Sequence, residues 1–324
     1  MLYPLKFEPI FKEKIWGGQK IREVLGKDFG ALDNCGESWE ISGVEGDISV
    51  VSNGSLKGRA LTDLISEFHG ELVGKSVFEK FGSQFPLLIK FIDANADLSI
   101  QVHPDDELAH TRHNSLGKTE MWYVFSADPG STLISGFNQA LTKETFLKKF
   151  EAGKIEEVLN VEQVQAGDSY FIPAGRVHTI GKGLLLAEIQ QTSDVTYRIY
   201  DFDRKDKDGN TRELHVDEAL DAIDYSYYDE YKTPYADSLN QQVQLAESTY
   251  FATNKLTATQ PVQLDLSRDS FTVLVCFEGK ASLQWNENQT EIQQGETVLI
   301  PATMDSCTIV PQNSVSILET YVPE

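Results

Sequence analysis

The stretch Gly167-Asp168-Ser169-Tyr170-Phe171-Ile172-Pro173-Ala174-Gly175-Arg176-Val177-His178 decides the reading of this chain. A glycine followed by an acidic residue marks a turn, and Ser169–Pro173 reads as a strand. The Pro-x-Gly step then turns the chain again before a strand opens at His178. An octamer of the same form begins at Gly295, offset by 128 from Gly167: Gly295-Glu296-Thr297-Val298-Leu299-Ile300-Pro301-Ala302. Such repetition predicts two copies of one β unit. The second copy continues Thr303-Met304-Asp305-Ser306, with no histidine. Whatever His178 binds, the C-terminal unit does not supply that ligand.

Complete at all four marked positions, the form G-x₅-P-x-G-x₂-H resembles the second motif of the cupin superfamily. In that motif the glycines and proline set tight turns and the histidine points into a barrel at a metal. The flanking sequence agrees with a β fold. Short apolar runs at 98–103, 119–126, 161–164, 184–190 and 196–200 read as strands separated by turn residues, and only strand patterns follow Gln241. Asn53-Gly54-Ser55, between Ile48–Ser52 and Leu56, is a hairpin signal. Two spans break the pattern. Leu61, Leu64, Ile65, Phe68 and Leu72 recur at helical spacing within 61–81, and Phe146, Leu147, Phe150, Ile155 and Val158 do so within 142–159, where Gly153 can divide the helix. Residues 105–112 and 216–223 read as shorter helices. The expectation is a mainly β protein of two cupin-type jelly rolls with short helical insertions. Residues 1–240 would form the catalytic metal-binding unit and 241–324 a C-terminal unit without the ligands.

Composition narrows the function. The 324 residues are 40% hydrophobic and 24% charged, an ordinary globular mix. Asp and Glu number 50 against 28 Lys and Arg, a net charge of −22. Such a chain repels nucleic acid and anionic membrane, so neither is expected as a partner. A phosphorylated ligand would need a local positive pocket against this global field. No apolar run approaches the ~20 residues of a membrane helix. Cys35, Cys276 and Cys307 are widely spaced and odd in number. With no basic and apolar leader at the N-terminus, they make a reducing cytoplasm the expected setting.

Six histidines occur, and two have marked contexts, His178 and the His103 of Gln101-Val102-His103-Pro104. Strand period two puts Gln101 and His103 on one face. Glu120, in Lys118-Thr119-Glu120-Met121-Trp122, opens another strand with a hard anionic side chain. Gln101, His103, Glu120 and His178 would form one N₂O₂ site for a single divalent metal. Zn²⁺ is the first expectation, with Fe²⁺, Mn²⁺ and Co²⁺ compatible by ligand type. The cations form a second group. Lys90 interrupts the apolar run Leu87–Ile92, a local inconsistency of the kind that marks functional sites. Lys118 precedes Glu120 by two residues, and Arg198 and Arg204 flank Tyr200–Asp203.

Three segments together resemble the type I mannose-6-phosphate isomerases in their short bacterial form: Gln101-Val-His103-Pro104-Asp105, Gly117-Lys118-Thr119-Glu120-Met121-Trp122, and Glu188 through Asp201. Ile15-Trp16-Gly17-Gly18 and Gly36-Glu37-Ser38-Trp39-Glu40 fit as well. The resemblance implies interconversion of mannose 6-phosphate and fructose 6-phosphate through a cis-enediol with one zinc. It implies Gln101, His103, Glu120 and His178 as ligands and Arg198 as an essential arginine. Glu188 and Lys118 would handle protons, and Lys90, Ser99 and Arg204 would contact the phosphate. The family usually has lysine where Arg204 stands. Two rival readings share the cupin site: a non-catalytic sugar-phosphate-binding protein and, less favoured, a metal-dependent dioxygenase. The missing H-x-H element argues against the dioxygenase, and the full set of ligands with Arg198 against the binding protein.

Overall fold

The structure is a computed structural model that describes residues 2–206 and 208–323. Two antiparallel sheets face each other in the first two-thirds of the chain. Their strands, in chain order, are β1 (Ile10–Lys12), β2 (Glu37–Ile41), β3 (Leu87–Ala94), β4 (Ile100–Val102), β5 (Glu120–Ala127) and β6 (Thr132–Phe137). They continue with β7 (Leu159–Gln163), β8 (Ser169–Ile172), β9 (His178–Ile180), β10 (Leu184–Gln191) and β11 (Tyr197–Tyr200). One sheet has the order β1-β2-β3-β10-β5-β8, the other β11-β4-β9-β6-β7. From β3 to β6, and again from β7 to β11, consecutive strands alternate between the sheets, as in a jelly roll.

The central strands of the first sheet are buried on both faces. In β3, Leu88, Lys90 and Ile92 point between the sheets, whereas Leu87, Ile89 and Phe91 belong to a second core. The same division holds in β10 and β5, where Leu186 and Trp122 face one core and Ala187 and Met121 the other. This explains the apolar run around Lys90: period two is present but masked, because both faces meet hydrophobic neighbours.

The second core lies under the helical insertion and the C-terminal sheet. Leu61, Leu64, Leu72 and Val77 pack there with Phe271, Val273 and Leu318. The single helical span expected over 61–81 is three short helices, Leu61–Phe68, Gly70–Val73 and Lys75–Phe81. They are broken at His69 and Gly74, whose φ values are 49° and 98°. At Gly74 a Cβ would lie 2.2 Å from the Asp269 carbonyl, so the close approach of the C-terminal segment requires glycine. The second span behaves as its sequence suggests. Helix Lys143–Glu151, capped by Thr142, is separated by Gly153 from a short 3₁₀ turn at Ile155–Val158. The expected hairpin forms with a longer loop: Val51 bonds Gly58 and Arg59, and the Leu61 N–H donates to the Ser49 carbonyl. In the expected turn at 206–210, Lys207 lies outside the described residues.

The C-terminal sheet comprises β12 (Gln242–Glu247), β13 (Ala252–Ala258), β14 (Val262–Asp265), β15 (Thr272–Trp285), β16 (Asn288–Gln293), β17 (Thr297–Ile300) and β18 (Ser306–Tyr321). The sequence repeat has a structural counterpart. β8 and β17 occupy matching positions in the two octamers, and each pairs antiparallel with one longer strand, β5 or β15. After β17, however, Ala302 and Thr303 donate their backbone N–H groups to the carbonyls of Leu72 and Glu71. The second Pro-Ala turn therefore packs on the helical insertion.

Candidate metal and substrate site

The site is built from two cross-strand rows that face each other between the sheets. In the first sheet the row is Trp39, Lys90, Glu188, Trp122 and Tyr170, on β2, β3, β10, β5 and β8. In the second it is Arg198, Gln101, His178 and Ser135, on β11, β4, β9 and β6. Ile100 and Val102 turn the other way, into a core closed by helix Val216–Ala222 and by Phe146 of helix Lys143–Glu151. That packing fixes β4, and with it the direction of Gln101.

Where the rows meet, His103, Glu120 and His178 bring their ligand atoms within 4.8 Å of one another. The Nε2 atoms of His103 and His178 lie 3.5 and 3.4 Å from the two Glu120 oxygens. All three residues are buried. The His178 Nδ1–H donates to the Arg176 carbonyl at 2.8 Å, which leaves Nε2 as a bare lone pair. That Nε2 and both Glu120 oxygens have no hydrogen-bond partner among the described residues. Acceptors facing acceptors in a dry interior are costly unless a cation lies between them. Without a cation a proton would relieve the clash, and the surroundings favour Glu120 over either imidazole for it. Burial, with the charge of Lys118 and the neighbouring His178, holds His103 well below its ordinary range, and burial pushes His178 down to about 4. Burial and then Glu188 push the Glu120 carboxyl up to about 8. The donor set fits a divalent metal. Gln101, the register partner of His178, lines the cavity beside it.

The turns that carry His178 explain its placement. Gly167 and Gly175 sit at φ values of 94° and 86°, conformations that favour glycine. The Gly175 N–H donates to the His103 carbonyl at 2.9 Å, so the motif turn is tied directly to the second histidine.

Beside the three ligands lies a cavity of about 300 Å³. Lys90, Ser99, Gln101, His103, Lys118, Glu188 and Arg198 all line it, so seven of the ten expected site residues share one wall system. Lys90 Nζ is 2.8 Å from Glu188 Oε1, and the Trp122 indole N–H donates to Glu188 Oε2 at 2.8 Å. A parallel arrangement holds Glu37, which accepts from the Trp39 indole at 2.8 Å and pairs with Lys14 Nζ at 3.5 Å. Burial alone would lower Lys90, but Glu188 and Glu37 outweigh it and raise its pKa. Burial would likewise raise Glu37, but Lys90 and Lys14 outweigh it and hold Glu37 at about 2. Lys118 differs: burial and the nearby Lys90 charge lower its pKa. Among the described residues it has no carboxylate within ion-pair distance.

Arg204 does not line this cavity. Its guanidinium donates to the Asp97 carbonyl and lies 3.4 Å from Asp201. Lys14 and Arg212, which sequence reading passed over, do line it. Arg212 stands in a polar, charged stretch that resembles any solvated loop, and Lys14 is one of two lysines around Glu13 with nothing to single it out.

Comparison with known proteins agrees with the geometry. Residues 4–123 match the family described as phosphomannose isomerase type I, catalytic domain, and residues 241–317 match the mannose-6-phosphate isomerase cupin domain. The mannose-6-phosphate isomerase ManA of Bacillus subtilis is 38% identical over 304 residues, covering 92% of this chain and 93% of its own. The chain belongs to the type I phosphomannose isomerase family. The mannose-6-phosphate isomerase of Streptococcus mutans is another family member, 38% identical over 308 residues, with 94% of this chain and 95% of its own covered. In three dimensions, the crystal structure of the Bacillus subtilis mannose 6-phosphate isomerase superposes with a TM-score of 0.88 at 32% identity. It covers 98% of this chain and 99% of that one.

Cys35, Cys276 and Cys307 are free and buried. No helix among the described residues is long and apolar enough to cross a membrane.

Proposed function

We propose that this protein interconverts mannose 6-phosphate and fructose 6-phosphate, with one divalent metal, Zn²⁺ first, held by His103, His178, Glu120 and Gln101. The observation that carries this reading is the set of buried, donorless atoms of Glu120 and His178, packed against His103, which itself lines a cavity shared with Gln101, Lys90, Glu188 and Arg198. A bound divalent cation supplies fixed positive charge that polarises sugar oxygens.

The chain's own groups account for the rest of the chemistry. Aldose–ketose isomerisation removes a proton from C2 and returns one to C1 through a cis-enediol. A second proton passes between O1 and O2. Glu188 and Lys118 are the groups we assign to proton transfer. Trp122 and Lys90 hold the Glu188 carboxylate from two sides, which fixes its orientation. Arg198 remains protonated at neutral pH and stabilises the developing enediolate. Its Nη1 donates to the Glu213 carbonyl at 2.8 Å, while its buried Nε has no hydrogen-bond partner among the described residues. Lys90 and Ser99, with Arg204 beyond the cavity wall, form the end at which we place the phosphate. This is the local positive charge that a −22 protein needs to bind an anion.

We also infer a division near residue 240. The 241–324 jelly roll has no histidine after its Pro-Ala turn, and that turn packs on Leu72 and Glu71. A supporting role for this unit follows.

The test is isomerisation in D₂O followed by NMR. Conversion of mannose 6-phosphate to fructose 6-phosphate with deuterium entering C1 of the product is expected. Deuterium at C1 requires the proton-transfer route through the enediol, and no conversion by the zinc-loaded protein would overturn the activity itself.

A further inference from the structure

Three arginines surround one carboxylate at the edge of the cavity. Asp201 is only 5% exposed. Arg212 clamps it with Nε at 2.8 Å from one oxygen and Nη2 on the other. Arg204 reaches the same carboxylate at 3.4 Å. Arg198 arrives from β11, and its charge environment includes Arg212. The backbone explains the convergence. The segment after Arg212 runs back along β11, with the His215 N–H donating to the Arg198 carbonyl at 2.8 Å. Arg198 Nη1 completes the link by donating to Glu213.

This cluster is short of negative charge. Among the described residues Arg204 and Arg212 share the single carboxylate of Asp201 as their ion-pair partner, and Arg198 has none within ion-pair distance. Two of their nitrogens, Arg198 Nε and Arg204 Nη1, are buried with no acceptor among the described residues. The clamp on Asp201 uses two of the five Arg212 N–H donors and leaves three. Arg212 is also the member, with Arg198, that lines the cavity. Unpaired donors on a planar, fixed fork suit a tetrahedral oxyanion with several acceptors.

We propose that Arg212, held in place by Asp201, is a phosphoryl-binding residue of the cavity. This deepens the isomerase reading and rests on it for the identity of the sugar. The anion site itself requires only a phosphoryl group. Asp201 acts as a positioning residue, since it holds the guanidinium and touches no substrate.

The test measures binding of inorganic phosphate by calorimetry and, in parallel, its competitive inhibition constant and KM for mannose 6-phosphate. The proteins are the wild type, Arg212→Gln, Arg212→Lys and Asp201→Asn. Loss of charge-assisted bonds should raise the phosphate Kd and the KM of Arg212→Gln together, by about 10- to 100-fold, with kcat changed by less than about threefold. Arg212→Lys keeps the charge without the fork and should fall between, which separates a binding role from simple support of the fold. Asp201→Asn should raise the same two constants by a smaller factor. Unchanged phosphate Kd in Arg212→Gln overturns the proposal, whether or not the wild type isomerises. A wild type that binds phosphate through Arg212 but forms no fructose 6-phosphate would sink the isomerase reading and leave the anion site standing.

Discussion

Lys90 and Glu188 are register partners on adjacent strands, and their charged ends meet at 2.8 Å with only 7% and 5% of the side chains exposed. A pair this deep gains little net stability, because desolvating both charges offsets their attraction. Breaking it is another matter, since one uncompensated charge is left inside.

Removing either partner alone should therefore cost more than removing both. Lys90→Met and Glu188→Gln are each expected to lower stability by about 3–5 kcal/mol, and the double variant by clearly less than their sum. Denaturant titration of the four proteins measures the coupling. Activity should not recover with stability: Glu188→Gln, alone or in the double variant, is expected to lose about 10²–10⁴ in kcat. Lys90→Ala should raise KM, as expected of a residue that contacts the phosphate.

Glu120→Gln keeps the shape of the metal site and removes its only formal negative charge. After dialysis it should retain far less zinc than the wild type, read by elemental analysis. Gln101→Ala removes a neutral ligand and should lose less. Equal zinc content in Glu120→Gln and wild type would remove Glu120 from the ligand set.

Arg198→Lys keeps a positive charge but loses the guanidinium fork. If Arg198 acts on the enediolate rather than on bound sugar, kcat should fall by about 10²–10³ while KM moves little. A change confined to KM would place Arg198 in ground-state binding.

Acid stability offers a prediction away from the active site. Burial pushes the Asp93 carboxyl up to about 6, although it accepts the Lys20 backbone N–H at 2.6 Å. Its folded pKa thus exceeds the unfolded value, the native state binds more protons, and this contribution to stability is lost as pH rises from about 4 to 6. Asp93→Asn keeps an oxygen for the Lys20 N–H and removes the titration. Relative to wild type, it should gain on the order of 3 kcal/mol between pH 4 and pH 7. Parallel stability curves for the two proteins would refute this.

Much of the site was legible because its residues carry local signals. His178 sits in a turn motif, His103 and Gln101 alternate on one strand, and Lys90 breaks an apolar run. The helical insertion was legible in period but not in its breaks. A histidine at φ 49°, as at His69, leaves no mark in sequence. Arg212 was illegible for a different reason. Its neighbours are polar and charged, and its place at the cavity follows from pairing with Asp201, eleven residues away. Arg204 entered only through the family resemblance; the chain turns at Phe202 and Asp203, both at positive φ, and its guanidinium donates to the Asp97 carbonyl outside the cavity lining.

The most direct test of the central claim is a coupled assay of fructose 6-phosphate formation from mannose 6-phosphate. It is run on the protein as purified, after chelation, and after zinc is restored. The expected result is activity that disappears with chelation and returns with one zinc per chain. Full zinc loading without fructose 6-phosphate formation would contradict the account.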